Sequence, residues 1–161
     1  MTRLADVLAA TRAEGRAALI AYLPVGFPDV PRSLEAMRAV VEAGADVVEI
    51  GFPYSDPVLD GPIIQDASAQ ALASGVHLAD AFAAARAITD AGAAAVVMSY
   101  WNPILRFGVD AFAQGLAQAG GSGVITPDLI PDEAAPWLAA ADAHGLDPIF
   151  LVAPSSTDER L

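Results

Sequence analysis

Short apolar runs alternate with longer Ala-rich stretches along the whole of this chain, and most of the longer stretches close on a glycine. Runs of strand length cover Ala17 to Pro24, Val47 to Gly51, Ala94 to Tyr100, Gly123 to Thr126 and Pro148 to Val152. Between them the spacing predicts helices at about Thr2 to Glu14, Pro31 to Ala43, Pro62 to Ser74, Leu78 to Ala91, Val109 to Ala119 and Asp132 to His144. Gly44, Gly75, Gly92, Gly120 and Gly145 supply the stop signals, and Pro or an acid opens several helices. The run Ala45-Asp46-Val47-Val48-Glu49-Ile50 shows no apolar–polar alternation, so its strand is buried on both faces, as in a parallel sheet. The order is βαβα, which defines an α/β fold.

Two architectures accommodate repeated βα units: an open doubly wound sheet, or part of an eight-stranded barrel. Dinucleotide binding has no support. No Gly-x-Gly-x-x-Gly follows the first strand, and Gly120-Gly121-Ser122-Gly123 precedes a strand, where it reads as a helix-to-strand turn. The five strands found in 161 residues form a single domain spanning 1–161. A closed barrel needs eight strands and roughly 250 residues, so this is expected to be the N-terminal portion of one. Ser155-Ser156-Thr157-Asp158-Glu159-Arg160-Leu161 reads as the cap and first turn of a further helix.

Charge and composition exclude several functions. A net charge of −12, with Arg as the only strong cation, leaves no basic patch for a nucleic-acid backbone. The chain has no Lys, which removes Schiff-base chemistry and the phosphate-loop lysine. No Cys is present, and the longest apolar runs fall far short of the roughly 18 residues of a membrane span. The first residues carry an early acid and no apolar signal core, so a cytoplasmic protein is expected. His77 and His144 stand at helix margins without acids arranged for a metal, and none is expected.

The segment Val48-Glu49-Ile50-Gly51-Phe52-Pro53-Tyr54-Ser55-Asp56-Pro57-Val58-Leu59-Asp60-Gly61 places two carboxylates around a strand end and a rigid loop. A carboxylate in a buried strand costs several kcal/mol unless it is paired or protonated, which makes Glu49 a candidate acid/base. The bland alternative for Glu49 is an ion pair with one of the few Arg residues. For Asp60 it is a turn residue capping the next helix.

This segment resembles the signature of the tryptophan synthase alpha subunit, and the resemblance extends along essentially the whole chain. Further matching segments are Tyr22-Leu23-Pro24-Val25-Gly26-Phe27-Pro28, Gly61-Pro62-Ile63-Ile64-Gln65, Tyr100-Trp101-Asn102-Pro103-Ile104 and Thr126-Pro127-Asp128-Leu129-Ile130-Pro131. The resemblance implies a TIM barrel and a lyase of tryptophan biosynthesis. Its reaction is retro-aldol cleavage of indole-3-glycerol phosphate to indole and glyceraldehyde 3-phosphate. It implies Glu49 as general acid/base and Asp60 as the anion that accepts the indole N–H and is held ionised, while burial raises Glu49. Tyr22, Tyr100 and Thr126 would line the substrate pocket, although core packing is the commoner role for an aromatic at a strand end.

Pro53, Asp56, Asn102 and Asp128 would lie in loops where a beta subunit docks, in an assembly of two alpha and two beta chains. No cofactor is implied for this subunit, and pyridoxal phosphate would belong to the beta subunit. Without the resemblance, the same loops read as solvated acidic surface. Phe27, and Thr126-Pro127 before Asp128, depart from the family pattern. The phosphate-binding loops after strands seven and eight are expected outside this chain, and little or no activity is expected of the 161 residues alone. Two other readings stay open: a non-catalytic half-barrel acting as a binding module, and another phosphate-handling barrel enzyme.

Overall fold

The computed structural model describes residues 4–158. Its elements are α1 (Leu4–Ala13), β1 (Ile20–Pro24), α2 (Val30–Glu42), β2 (Val47–Gly51), α3 (Pro62–Ala73), α4 (Leu78–Asp90), β3 (Ala94–Met98), α5 (Trp101–Phe107), α6 (Val109–Gln118), β4 (Gly123–Thr126), α7 (Ala135–His144) and β5 (Asp147–Phe150). The five strands form one sheet in the order β1-β2-β3-β4-β5, every pair parallel. Sequential order with parallel pairing is the course of a βα barrel wall, not of a doubly wound sheet, whose order reverses at a switch point.

Local chemistry sets the boundaries. Asp29 caps α2 by accepting the Arg32 N–H at 2.8 Å. The Asp80 carboxylate accepts the His77 N–H at 2.7 Å ahead of α4. β1 begins at Ile20 rather than Ala17 because the preceding corner is tied up by a clasp. Arg16 donates from Nη1 and Nη2 to the two Asp46 oxygens, each at 2.7 Å, and from Nε to Glu14. Asp46 also accepts the Leu19 N–H at 2.8 Å, and the Arg16 bonds hold its carboxyl down at about 2.

Other expected boundaries shift as well. β3 ends at Met98, leaving Tyr100 outside the strand, and β5 spans Asp147–Phe150. α7 starts at Ala135 because Pro131–Glu133 form a separate 3-10 turn and Pro136 occupies the first turn of the helix. Residues Ser155 and Ser156 lie in a turn, where the Ser156 hydroxyl accepts the Ala153 N–H at 2.9 Å. Thr2, Arg3, Glu159, Arg160 and Leu161, which fall in expected helices, lie outside the described residues.

The two faces of the sheet differ. Val48, Ile50, Ala95, Val97 and Val124 point to the main core, where α2, α4, α6 and α7 cover them with Met37, Ile88, Phe112, Leu116 and Trp137. The opposite face carries Val47, Ala94, Val96, Ile125 and Ile149 in a smaller cluster, with Leu4 and Val7 of α1 packed against it.

Candidate active site

Strand register brings the first site residues together. Tyr22 pairs with Glu49 and Glu49 with Val96, so the three form one row on the less covered face. Glu49 is the central residue of β2, not its C-terminal end. Its neighbours Val48 and Ile50 are fully buried on the other face, while Glu49 lines a cavity of about 170 Å³ with Leu4, Ile20, Val47, Val96, Ile125 and Ile149. Among the described residues it has no ion pair and no hydrogen bond, so the Arg pairing is not made. Loss of water in this apolar setting pushes its carboxyl above the usual range.

Tyr22 links the two acids. Burial raises its phenol strongly, and the charges of Asp60 and Glu49 raise it further, so both carboxylates lie within electrostatic reach of one ring. The ring lies over Gly51, where any Cβ would overlap the Tyr22 hydroxyl. Gly51 therefore gives the ring its space beside Glu49.

Asp60 ends the loop after β2. Helix α3 begins with Gly61 as its cap and no side-chain hydrogen bond there, so Asp60 does not cap it. Its carboxylate accepts no hydrogen bond among the described residues, and burial raises its pKa. Desolvation moves both acids in the same direction, Glu49 from the more deeply buried position. The loop backbone is held instead. Gln65 Nε2 donates to the Asp60 carbonyl at 2.9 Å, and the Leu59 N–H donates to the Tyr100 hydroxyl at 3.0 Å.

Several expected site residues fall elsewhere. Thr126 shares the β4 face of Val124, turned to the helices, and is fully buried with no partner for its hydroxyl among the described residues, so it does not line the Glu49 cavity. Tyr22 lies mid-strand rather than at the end of β1. Tyr100 is 5% exposed and stacks on Tyr54 at 4.8 Å, so its hydroxyl serves the loop. Pro53 is buried at the start of the loop, where its ring stiffens the backbone. Asn102 lies in α5, not in a loop. Asp56, Asn102 and Asp128 are exposed, and Asp128 accepts the Trp101 N–H at 2.8 Å at the start of α5.

Residues missed in the sequence are Val96, Met98, Ile125 and Ile149. All lie on the Glu49 face at two-residue spacing, and counting by twos from the register of Glu49 finds them. No cluster of acids and histidines suited to a metal occurs among the described residues. No helix there is long and apolar enough to cross a membrane.

Parallel strands in sequential order, helices over one face and an unpaired carboxyl on the other define a protein of the βα-barrel class. Within that class, the chain belongs to the tryptophan synthase alpha chain family, whose model matches residues 8–161. It is 64% identical to the tryptophan synthase alpha chain of Thermobifida fusca, over 100% of this chain and 60% of that protein. The relative from Mycobacteroides abscessus is 64% identical over 99% of this chain and 61% of its own length. A crystal structure of tryptophan synthase from M. tuberculosis superposes with a TM-score of 0.96 at 62% identity, covering 99% of this chain and 64% of that one. The alpha subunit from Legionella pneumophila gives 0.93 at 36% identity, over 99% and 62% respectively. The chain thus spans about 60% of the length of the curated relatives it matches.

Proposed function

We propose that this protein carries out the alpha reaction of tryptophan synthase, cleaving indole-3-glycerol phosphate to indole and glyceraldehyde 3-phosphate. The observation that carries the reading is the unpaired, desolvated Glu49 in register with Tyr22, whose phenol also feels the charge of Asp60. Desolvation shifts the Glu49 carboxyl toward its protonated form, the direction a general acid needs.

In this reading Glu49 delivers its proton to C3 of the indole, which puts positive charge on the ring. Asp60 accepts the ring N–H hydrogen bond and stabilises that charge. The Glu49 carboxylate then takes the proton of the hydroxyl on the side-chain carbon attached to C3. The bond between that carbon and C3 breaks, its electron pair returns to the ring, the carbonyl of the aldehyde forms, and Glu49 is protonated again. Tyr22, Val96, Met98 and Ile125 offer the indole an apolar wall. These steps use only side chains of this subunit. A beta chain holding pyridoxal phosphate would receive the indole at the face carrying Asp56, Asn102 and Asp128, in the cytoplasm. Two chains of each kind would make up the assembly.

The test is indole release from indole-3-glycerol phosphate, by the protein alone and with a beta chain. Glu49→Gln is expected to lower turnover by about a hundred- to ten-thousand-fold. Asp60→Asn is expected to cost roughly a hundredfold. Unchanged turnover in Asp60→Asn would overturn the mechanism.

A further inference from the structure

We propose that Tyr100 and Gln65 are positioning residues, clamping the Leu59 N–H and the Asp60 carbonyl so that the Asp60 carboxylate is fixed where an indole N–H would meet it. The proposal rests on the role given to Asp60 above.

The loop is anchored at its start by the Phe52 N–H on the Met98 carbonyl at 2.8 Å and by buried Pro53, but from Ser55 to Asp60 it has little else to hold it. Its internal bonds, Val58 N–H to the Asp56 carbonyl at 2.9 Å and Asp60 N–H to the Pro57 carbonyl at 3.1 Å, shape the turn without tying it to the sheet. Val58 and Leu59 are 82% and 59% exposed, so their side chains do not anchor it. The Asp60 carboxylate accepts no hydrogen bond among the described residues, so its position depends on the backbone that carries it.

Two side chains supply that constraint from different elements. The Tyr100 hydroxyl accepts the Leu59 N–H at 3.0 Å from a buried ring stacked on Tyr54, with 21° between the planes. The main chain beside Tyr100 is itself fixed, since the Trp101 N–H donates to Asp128. From α3, Gln65 Nε2 donates to the Asp60 carbonyl at 2.9 Å and to the Pro57 carbonyl at 3.4 Å. Asp60 hangs between a donor on one side and an acceptor on the other. A catalytic group misplaced by about 1 Å can cost a hundredfold, so such a clamp bears directly on turnover.

The test is Tyr100→Phe, which keeps the stacked ring and removes the acceptor, with Gln65→Leu as a second variant should the first fold poorly. In Tyr100→Phe the Leu59 amide is expected to exchange with solvent at least about tenfold faster, while the Val97 and Val124 amides keep their rates. Turnover of the indole substrate is expected to fall about tenfold with KM unchanged, and Tyr100→Phe added to Asp60→Asn to cause no further loss. A Leu59 amide no faster than in the unaltered protein overturns the clamp, whatever turnover does. A freed Leu59 amide with full turnover overturns the positioning role. If Asp60→Asn leaves turnover unchanged while Tyr100→Phe frees Leu59, the role given to Asp60 falls and the clamp stands.

Discussion

Glu49 occupies a position where ionisation is costly, and that cost has a sign that can be followed with pH. An unfolded glutamate loses its proton near 4.5, and the folded Glu49 loses it at a higher pH because its apolar surround excludes water. Between those two values the folded chain holds a proton the unfolded chain has released, so stability falls as pH rises through the window. Glu49→Gln removes this titration. The variant is expected to melt at a higher temperature than the unaltered protein at pH 8 and at the same temperature at pH 4, by calorimetry at both. Equal melting temperatures at pH 8 would mean that Glu49 is solvated or paired in solution. Glu49 was legible in the sequence because a charged residue interrupts an apolar strand. Thr126 was misread because proximity to a strand end says nothing about side-chain direction, and its parity with Val124 turns it to the helices. The loop bonds of Tyr100 were not legible either, because a contact across 41 positions leaves no local pattern.

At the scale of elements, β2 and β4 matched the sequence reading residue for residue, and the helices did so to within a few residues. Glycine stops and proline starts are local chemistry, so a single chain displays them. Helix α5 was missed because seven residues with Pro103 in the first turn read as a loop, and Asp128 from the next βα unit completes its start. Helices α4 and α6 approach closely at Gly115, where a Cβ would come within 2.7 Å of Phe82. That ring cannot swing away freely, since it packs on Phe107 at 5.7 Å and Phe112 at 5.6 Å between centroids. Alanine would gain about 1 kcal/mol in helix propensity and lose about 1–3 kcal/mol to overpacking. Gly115→Ala is therefore expected to destabilise the protein by about 1 kcal/mol in urea unfolding. In a Phe82→Ala background the same change is expected to stabilise it. A gain in the unaltered background would show that the helices separate at no cost.

For the whole molecule, the asymmetry of the sheet decides where stability resides. One face sits under four helices and is fully buried at Val48, Ile50, Val97 and Val124. The other has α1 packed against part of its length and leaves Ile20 51% exposed. Hydrophobic stabilisation follows the area removed from water, so equal substitutions on the two faces differ in effect. In the 161-residue chain, Ile50→Ala is expected to cost about 2–5 kcal/mol, because it opens a cavity in packed core. Ile20→Ala is expected to cost under about 1 kcal/mol, since half of that side chain is already in water. Urea unfolding of both variants at two protein concentrations checks this. Comparable losses would mean that Ile20 is covered in solution, and a loss that grows with protein concentration would identify the cover as a second copy of the chain. A small Ile20 loss beside a large Ile50 loss would mean that the face under four helices carries more of the sheet's stability than the open end of the other, and Glu49 stands on that less covered face.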